Sequence, residues 1–285
     1  MKTRIISGVI GMGVLAALLL LPAYITAITV LAASILGLYE FSKALGKKDV
    51  RMDLPVSIAA AVIIVAKAWS VAVTGNTVPV LGHFFGINLG GNYLNAFLYI
   101  TIVYLFCRII FGKDGFCIRD MAYTFLGIVY IPFLLSFAVA ARSLERGFHY
   151  IWLVVIGAVA TDTFAYFTGV TIGKTKIVPH ISPKKTVEGS VGGVIGCMLA
   201  MMMYGMFVMN GNGYEHVQVY HFAVLGLLCG FVSQLGDWAA SSIKRTMGIK
   251  DFGNLIPGHG GIMDRIDSIL FVAPMVYIYI SLFLL

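Results

Sequence analysis

Apolar residues fill long stretches of the chain, and short polar segments separate these stretches. The stretch from Ile5 to Lys43 is long enough for two membrane-spanning helices with Pro22 at the turn, because a helix needs about 20 apolar residues to cross the hydrocarbon layer. Further stretches of this kind lie at residues 55–75, 94–112, 121–141, 149–171, 190–210, 221–240 and 268–285. The pattern predicts an all-α, polytopic integral membrane protein with about nine transmembrane helices.

The composition supports this fold class, since 59% of the residues are hydrophobic and only 12% are charged. A soluble domain has about a quarter of charged residues, so an ordinary soluble protein is excluded. The basic start and apolar core of the first segment resemble a signal peptide, but the apolar run continues almost to Leu38 and predicts retained helices. The four cysteines include no CxxC pair, so neither a disulfide framework nor a zinc site is expected.

The distribution of Lys and Arg predicts the orientation in the membrane. A cytoplasmic N-terminus places 17 of the 20 Lys and Arg in cytoplasmic segments, whereas Arg142 and Arg146 lie on the opposite side and Lys67 within a span. The net charge of +7 is then explained by topology and by attraction to anionic lipid headgroups, and no nucleic-acid partner is expected.

The polar segments suggest two regions. Residues 1–145 are expected to form an N-terminal set of about five transmembrane helices, and residues 146–285 a C-terminal catalytic transmembrane region. The C-terminal region has the two richest cytoplasmic loops, 172–189 and 241–267. Most of the candidate chemistry lies in or beside these loops.

Three acidic residues occur within or near the apolar stretches. Asp162 and Asp237 lie inside predicted spans, where a charged group is costly and is therefore a functional hypothesis: contact with a metal, a proton or a substrate. A purely structural polar contact is the alternative. Glu40 lies near the end of its span, and we expect an interfacial acid paired with Lys43.

The most charged stretch runs from Ser241 to Asp267, "SSIKRTMGIKDFGNLIPGHGGIMDRID". Asp264 and Asp267 are three positions apart and share one face if the segment is helical. Two adjacent carboxylates repel each other, and Mg²⁺, which proteins hold with one or two carboxylates plus substrate phosphates, removes this cost. The stretch therefore predicts a magnesium site at the cytoplasmic membrane face.

Cations and glycines in the same stretch suit phosphate. Lysine offers a point charge and arginine a fork that matches a phosphate group, and glycines let backbone N–H groups approach an anion at a helix N-terminus. The alternative is a solvated loop with internal salt bridges. The residues concerned are Lys244, Arg245, Lys250, Gly260, Gly261 and Arg265, with His259 beside them.

The other rich loop contains "SPKKTVEGSVGG". Lys184 and Lys185 are candidate phosphate ligands, and Glu188 is expected to cap the next helix or to contact a metal. The alternative is a pair of topology-determining lysines followed by a capping acid. Gly173-Lys174-Thr175 fails as a P-loop, because Gly169 is one residue too close and a membrane helix precedes it.

The order of residues from Ser241 to Asp267 resembles the signature of the CDP-diacylglycerol synthases, or phosphatidate cytidylyltransferases. The pattern S-x2-K-R-x4-K-D-x-G-x3-P-x-H-G-G-x2-D-R-x-D is met without departure. The blocks "SQLGDWAASSIKR" and "DTFAYFTG" also look like this family, so the resemblance covers roughly residues 150–285. The N-terminal half fits only as a set of membrane spans.

The resemblance implies a magnesium-dependent nucleotidyltransferase of phospholipid biosynthesis. Such an enzyme transfers the cytidylyl group of CTP to phosphatidic acid and gives CDP-diacylglycerol and pyrophosphate. The expected partners are CTP, phosphatidic acid and the lipid bilayer, and the family suggests a second cation such as K⁺ and a homodimer. The expected location is the bacterial inner membrane, with the active site on the cytoplasmic side.

The resemblance also implies a role for each matching residue. The expected catalytic residues are Asp237, Lys244, Arg245, Asp264 and Asp267. The expected metal ligands are Asp237, Asp264, Asp267 and Ser241, with Ser233 as another oxygen donor. The expected substrate-binding residues are Lys184, Lys185, Lys250, His259, Gly260, Gly261, Arg265 and Asp162.

Three other functions fit less well. A CTP-dependent polyprenol kinase would transfer the γ-phosphoryl group and release CDP. An ion-coupled transporter would use Asp162 and Asp237 as an ion site, but transporters tend to have inverted repeats, and the sequence has no such symmetry. The carboxylate string of the CDP-alcohol phosphotransferases, DG...AR...G...D...D, is absent.

Overall fold

The computed structural model describes residues 2–73, 93–212, 217–255 and 260–285. These ranges contain nine helices, numbered in chain order, and a helix that a π-helical turn interrupts is counted once. They are α1 (Lys2–Leu20), α2 (Ala23–Gly46), α3 (Leu54–Val73), α4 (Tyr93–Phe111), α5 (Ile118–Arg142), α6 (Gly147–Thr171), α7 (Val187–Tyr204), α8 (Val219–Thr246) and α9 (Met263–Phe283). A π-helical turn at Val129–Phe133 interrupts α5, and another at Gly205–Met209 continues α7. The all-α prediction is confirmed.

Six of the described helical runs are long and apolar enough to cross a membrane. They are α2, α5, α6, α7 extended to Met209, α8 and α9. The apolar parts of α3 and α4, Leu54–Ser70 and Ala96–Phe111, are shorter. The chain is therefore a polytopic membrane protein, and the helices coincide with the apolar stretches of the sequence.

The predicted loop 241–267 is too long. Helix α8 continues to Thr246 and α9 begins at Met263, so Ser241 and the basic pair after it extend the helix. Gly248, with φ +67°, follows the last turn in the left-handed conformation that commonly ends a helix. The second rich loop is also slightly shorter, because α7 begins at Val187.

Contacts between helix ends show how successive helices alternate in direction. At one end of the bundle, Arg108 forms an ion pair with Asp53, and the Arg245 Nε atom donates to the Ile181 carbonyl over 3.2 Å. At the other end, Arg142 donates to the Leu21 carbonyl over 3.2 Å. The end of α4 thus lies beside the start of α3, and the end of α5 beside the start of α2, as expected for helices of opposite direction.

The two sequence regions share one hydrophobic core. The boundary at residues 145–146 falls in the turn between α5 and α6. The core cluster nevertheless includes Phe41 and Ile131 from the first region and Leu153 and Val272 from the second. The N-terminal helices are therefore packed directly against the helices that bear the signature residues.

Glycines bring α6, α7 and α8 close together. A Cβ atom at Gly226 would lie 2.6 Å from the Met198 Cα, and one at Gly193 would lie 2.9 Å from the Thr161 carbonyl oxygen. Small residues permit such backbone approach between membrane helices. This packing brings the polar residues of the three helices to one site.

Candidate active site

A cavity of about 390 Å³ lies between α6, loop 172–186, the start of α7 and α8. It brings together four residues predicted from the sequence: Asp162, Lys184, Lys185 and Asp237. Much of the remaining lining is apolar, including Ala165, Tyr166, Val170, Ile177 and Trp238. The cavity therefore combines a charged part with an apolar wall.

Asp237 is bonded from two directions. The Lys185 ammonium forms an ion pair with its carboxylate, and the Ser241 hydroxyl donates to Oδ1 over 3.4 Å. The Lys185 Nζ atom also lies 5.9 Å from the centre of the Trp238 ring. Burial lowers the pKa of Lys185, and the nearby carboxylates of Asp162 and Asp267 oppose this effect. Loop 172–186 is thus connected electrostatically to three helices.

Asp264 forms a second, more deeply buried pair. The Lys244 Nζ atom lies 2.7 Å from its Oδ1, and the two side chains are only 11% and 3% exposed. The backbone N–H groups of Phe252 and Gly261 donate to Oδ2 over 2.8 and 3.0 Å. Asp264 therefore joins Phe252 to the start of α9. A metal ion at Oδ1 would have to displace Lys244.

Asp267 lies one helical turn beyond Asp264 and links the two pairs. It is within electrostatic range of Lys244 and Arg265, and also of Asp162 in the cavity. These contacts form one charged group across α6, α8, α9 and loop 172–186, which consists of Asp162, Lys185, Asp237, Lys244, Asp264 and Asp267.

The candidate metal ligands in this charged group are carboxylate and hydroxyl oxygens. Among the described residues, no three acidic, His or Cys side chains are close enough to hold a metal ion by themselves. The buried hydroxyl of Ser233 has no hydrogen-bond partner in the described part of the chain, and the Ser268 hydroxyl lies beside Asp162. A donor set of carboxylates and hydroxyls fits Mg²⁺, which takes only one or two carboxylates when phosphates complete its shell. The ligand set Asp237, Asp264, Asp267 and Ser241 stays a prediction.

The other predicted residues occupy different positions. Arg245 donates to the Ile181 and Ile249 carbonyls over 3.2 Å each, so its guanidinium joins the two rich loops. Lys250 and Arg265 are exposed, and Gly260 adopts φ +85° beside Asp264. His259 lies outside the described residues. Substrate contact by these side chains stays a prediction.

Glu188 lies away from the acids. Its carboxylate accepts the backbone N–H groups of Lys174 and Thr175 over 3.0 and 3.2 Å, and Thr186 caps α7 by accepting from Gly189. Glu188 therefore secures the Gly173-Lys174-Thr175 turn. The N–H groups of that turn are occupied by a carboxylate, in agreement with the rejection of a P-loop.

The sequence analysis did not predict the contacts of two residues near the site, Gln234 and Glu40. Gln234 donates to the Ser190 carbonyl over 3.0 Å and accepts from the Ser190 hydroxyl, which fixes α8 to the start of α7 beside the cavity. Glu40 was expected at the interface but is only 6% exposed. It accepts the N–H groups of Ile262 and Met263 over 3.0 and 2.9 Å. The expected pairing with Lys43 is not found among the described residues, because the Glu40 carboxylate is bound to the start of α9 instead.

Comparison with known proteins agrees with the signature. Residues 2–283 match a family model described as the Cytidylyltransferase family. The chain is 33% identical over 184 residues to the phosphatidate cytidylyltransferase of Bacillus subtilis, covering 64% of this chain and 66% of that protein. It is 37% identical over 169 residues to the phosphatidate cytidylyltransferase of Staphylococcus saprophyticus, covering 59% and 62%. The aligned segments thus span just under two thirds of each relative's own length.

Proposed function

The chain belongs to the cytidylyltransferase family, and from this premise we propose that it transfers the cytidylyl group of CTP to phosphatidic acid. The products are CDP-diacylglycerol and pyrophosphate. The observation that carries the proposal is the cavity in which Lys184, Lys185 and Asp237 meet an apolar wall. A phospholipid has an anionic headgroup, which suits the lysines, and apolar chains, which suit the apolar wall.

The reaction needs charge neutralisation and alignment more than proton transfer. A phosphate oxygen of phosphatidic acid is already anionic, and it attacks the α-phosphorus of CTP in line. The new P–O bond forms as the bond to the bridging oxygen of the β-phosphate breaks, and pyrophosphate leaves with that electron pair. Positioning and electrostatic stabilisation supply most of the rate enhancement in such a step.

Lysines and arginines in or beside the charged group supply the positive charge. Lys184 and Lys185 face the cavity and are assigned to the lipid phosphate. Lys244 and Arg265, near Asp267, are assigned to the triphosphate together with Lys250. Arg245 holds the two loops at the distance that lets both sets reach one substrate pair.

The acids fit a magnesium site. Asp237 and Asp267 would hold Mg²⁺ with the Ser241 hydroxyl, because Lys244 and two backbone N–H groups already occupy Asp264. A bound Mg²⁺ would offset the charge of the triphosphate. Lys185, now paired with Asp237, would then be free to bind phosphate. A second cation such as K⁺ stays a prediction.

The lipid chains are expected to remain in the bilayer. Tyr166 and Val170 line the cavity and are 66% and 68% exposed on the outer surface of α6. Exposed apolar residues on a membrane helix contact lipid, so the apolar wall is continuous with the hydrocarbon layer. Phosphatidic acid would enter sideways, with its phosphate at the two lysines.

The proposed topology has nine crossings, a cytoplasmic N-terminus and the active site at the cytoplasmic face of a bacterial inner membrane. The alternating helix ends and the distribution of Lys and Arg support it. A homodimer stays a prediction.

The test uses purified protein in detergent with phosphatidic acid, Mg²⁺ and CTP labelled at either the α or the γ phosphate. We expect α-label in the lipid, release of pyrophosphate, and loss of at least about 100-fold of the rate in Asp237→Asn. Asp49→Asn, an exposed acid on another loop, is the matched control and should retain activity. Transfer of γ-label with release of CDP would identify a kinase instead, and no transfer of either label would exclude both enzymes and favour transport.

A further inference from the structure

Glu40 connects the N-terminal half of the chain to the signature segment. It lies on α2, and its two carboxylate oxygens accept the backbone N–H groups of Ile262 and Met263 at the start of α9. These bonds join positions 222 and 223 residues apart. A residue outside the signature thus contacts the helix that bears Asp264 and Asp267.

The fit around this carboxylate is tight. A Cβ atom at either Gly253 or Gly261 would overlap the Glu40 carboxylate. The Met263 side chain also packs against Gly37, where a Cβ atom would lie 3.1 Å from the Met263 sulfur. Neither Gly253 nor Gly261 has a positive φ, so the backbone conformation does not require glycine there. The close approach of the Glu40 carboxylate does, because it leaves no room for a Cβ atom.

Two carboxylates therefore hold the start of α9. Asp264 accepts the N–H of Gly261 from within the segment, and Glu40 accepts the next two N–H groups from a neighbouring helix. These donors are among the N–H groups that lack an intrahelical partner at a helix N-terminus. A negative charge there is also favoured by the helix dipole.

We propose that Glu40 is a positioning residue for the active site, an inference that rests on the proposed function. By fixing the first turn of α9, Glu40 sets the direction from which Asp267 and Arg265 approach the charged group. It does not contact substrate. Its loss should weaken Mg²⁺ binding through Asp267, as outer-shell groups do for metal ligands.

The test compares Glu40→Gln and Glu40→Asp with wild type in the full-length protein. Glutamine loses the charge and turns an NH₂ group toward an N–H donor, whereas aspartate keeps the charge but is one methylene too short to reach both donors. We expect about a tenfold rise in the half-saturating Mg²⁺ concentration and about a tenfold fall in kcat for Glu40→Gln, with a smaller effect for Glu40→Asp. Lys43→Gln, an exposed position on the same helix, is the matched control and should change neither quantity.

Amide hydrogen exchange provides a readout that does not depend on activity. Exchange at Ile262 and Met263 should become at least about tenfold faster in Glu40→Gln, since both amides lose a charged acceptor. A merely structural role would reduce the amount of active protein without moving the half-saturating Mg²⁺ concentration. Faster exchange with an unchanged Mg²⁺ requirement would therefore overturn the proposal.

The glycines provide a second test, of the contact itself. Gly253→Ala should lower kcat in wild type because its Cβ meets the Glu40 carboxylate, but should add little in a Glu40→Ala background, where that space is free. Additive effects would contradict the geometry.

Failure of the proposed function and failure of this inference give different results. If wild type transfers no cytidylyl group, the proposed function fails. Unaltered amide exchange in Glu40→Gln would separately refute the bonds from Ile262 and Met263 to Glu40. An active wild type with unaltered Glu40 variants would refute this inference alone.

Discussion

Lys185 and Asp237 form an ion pair between loop 172–186 and α8, at the charged part of the cavity. A lysine and an acid that face one cavity neutralise each other. The same arrangement recurs at Lys244 and Asp264. Lysines thus compensate the carboxylates of Asp237 and Asp264, and this compensation determines what variants at these positions should do.

Removal of Lys185 should impair binding of the lipid. We expect Lys185→Ala to raise the KM for phosphatidic acid at least about tenfold, because a charge-assisted contact with phosphate contributes roughly 1.5–3 kcal/mol. Initial rates measured against the surface fraction of phosphatidic acid in mixed micelles test this. Lys174→Ala, an exposed lysine of the same loop, is the control. Equal effects at both positions would indicate general attraction to anionic micelles instead.

The Lys244–Asp264 pair should be a determinant of stability. Breaking a buried pair leaves an uncompensated charge and costs about 3–5 kcal/mol, so Lys244→Met and Asp264→Asn should each lower the Tm by several degrees. The double variant should be less destabilised than the sum of the two single variants. Thermal unfolding in detergent, followed by tryptophan fluorescence, measures this. Additivity would show that the two groups do not depend on each other.

Removal of divalent cations should abolish activity but leave the fold intact. Lysines and backbone N–H groups already compensate the carboxylates of Asp237 and Asp264. We therefore expect EDTA to stop cytidylyl transfer, Mg²⁺ to restore it, and the Tm to change by less than about 2 °C, which corresponds to Mg²⁺ that is present near its Kd and not far above it. A large fall in Tm on chelation would mean that the metal is structural.

Packing between α7 and α8 should be intolerant of larger residues. Gly226→Leu would place side-chain atoms where the Met198 backbone lies, and overpacking of this kind costs about 1–3 kcal/mol or more. A lower Tm and a loss of activity are expected together, because the same crossing positions Asp237. Gly46→Ala is the control, since a Cβ atom there meets nothing within 4 Å. An unchanged Tm in Gly226→Leu would contradict the close approach of the two helices.

The sequence predicted the helices well because each apolar stretch must be long enough to cross the bilayer. The family resemblance also implied that Asp162, Lys185 and Asp237 belong to one site. The three residues line one cavity, and their shared role stays a prediction.

The contacts of Glu40 and Gln234 could not be predicted in the same way. Periodicity indicates which face of a helix is apolar, but it does not identify a partner hundreds of positions away. The end of α8 was placed too early for a related reason: "SSIKRT" is polar, and polarity marks the membrane boundary and not the end of a helix. Helix α8 continues through these polar residues to Thr246, and Gly248 then permits the turn.

The apolar wall around Tyr166 and Val170 has a kinetic consequence. If the lipid substrate enters through it, one reactant is delivered by lateral diffusion in two dimensions and the other by diffusion in three. The turnover rate would then follow the mole fraction of phosphatidic acid in the surface, and diluting it with inert lipid at constant bulk concentration would slow the reaction. The product, still anchored by its acyl chains, would leave by the same lateral route without those chains being exposed to water.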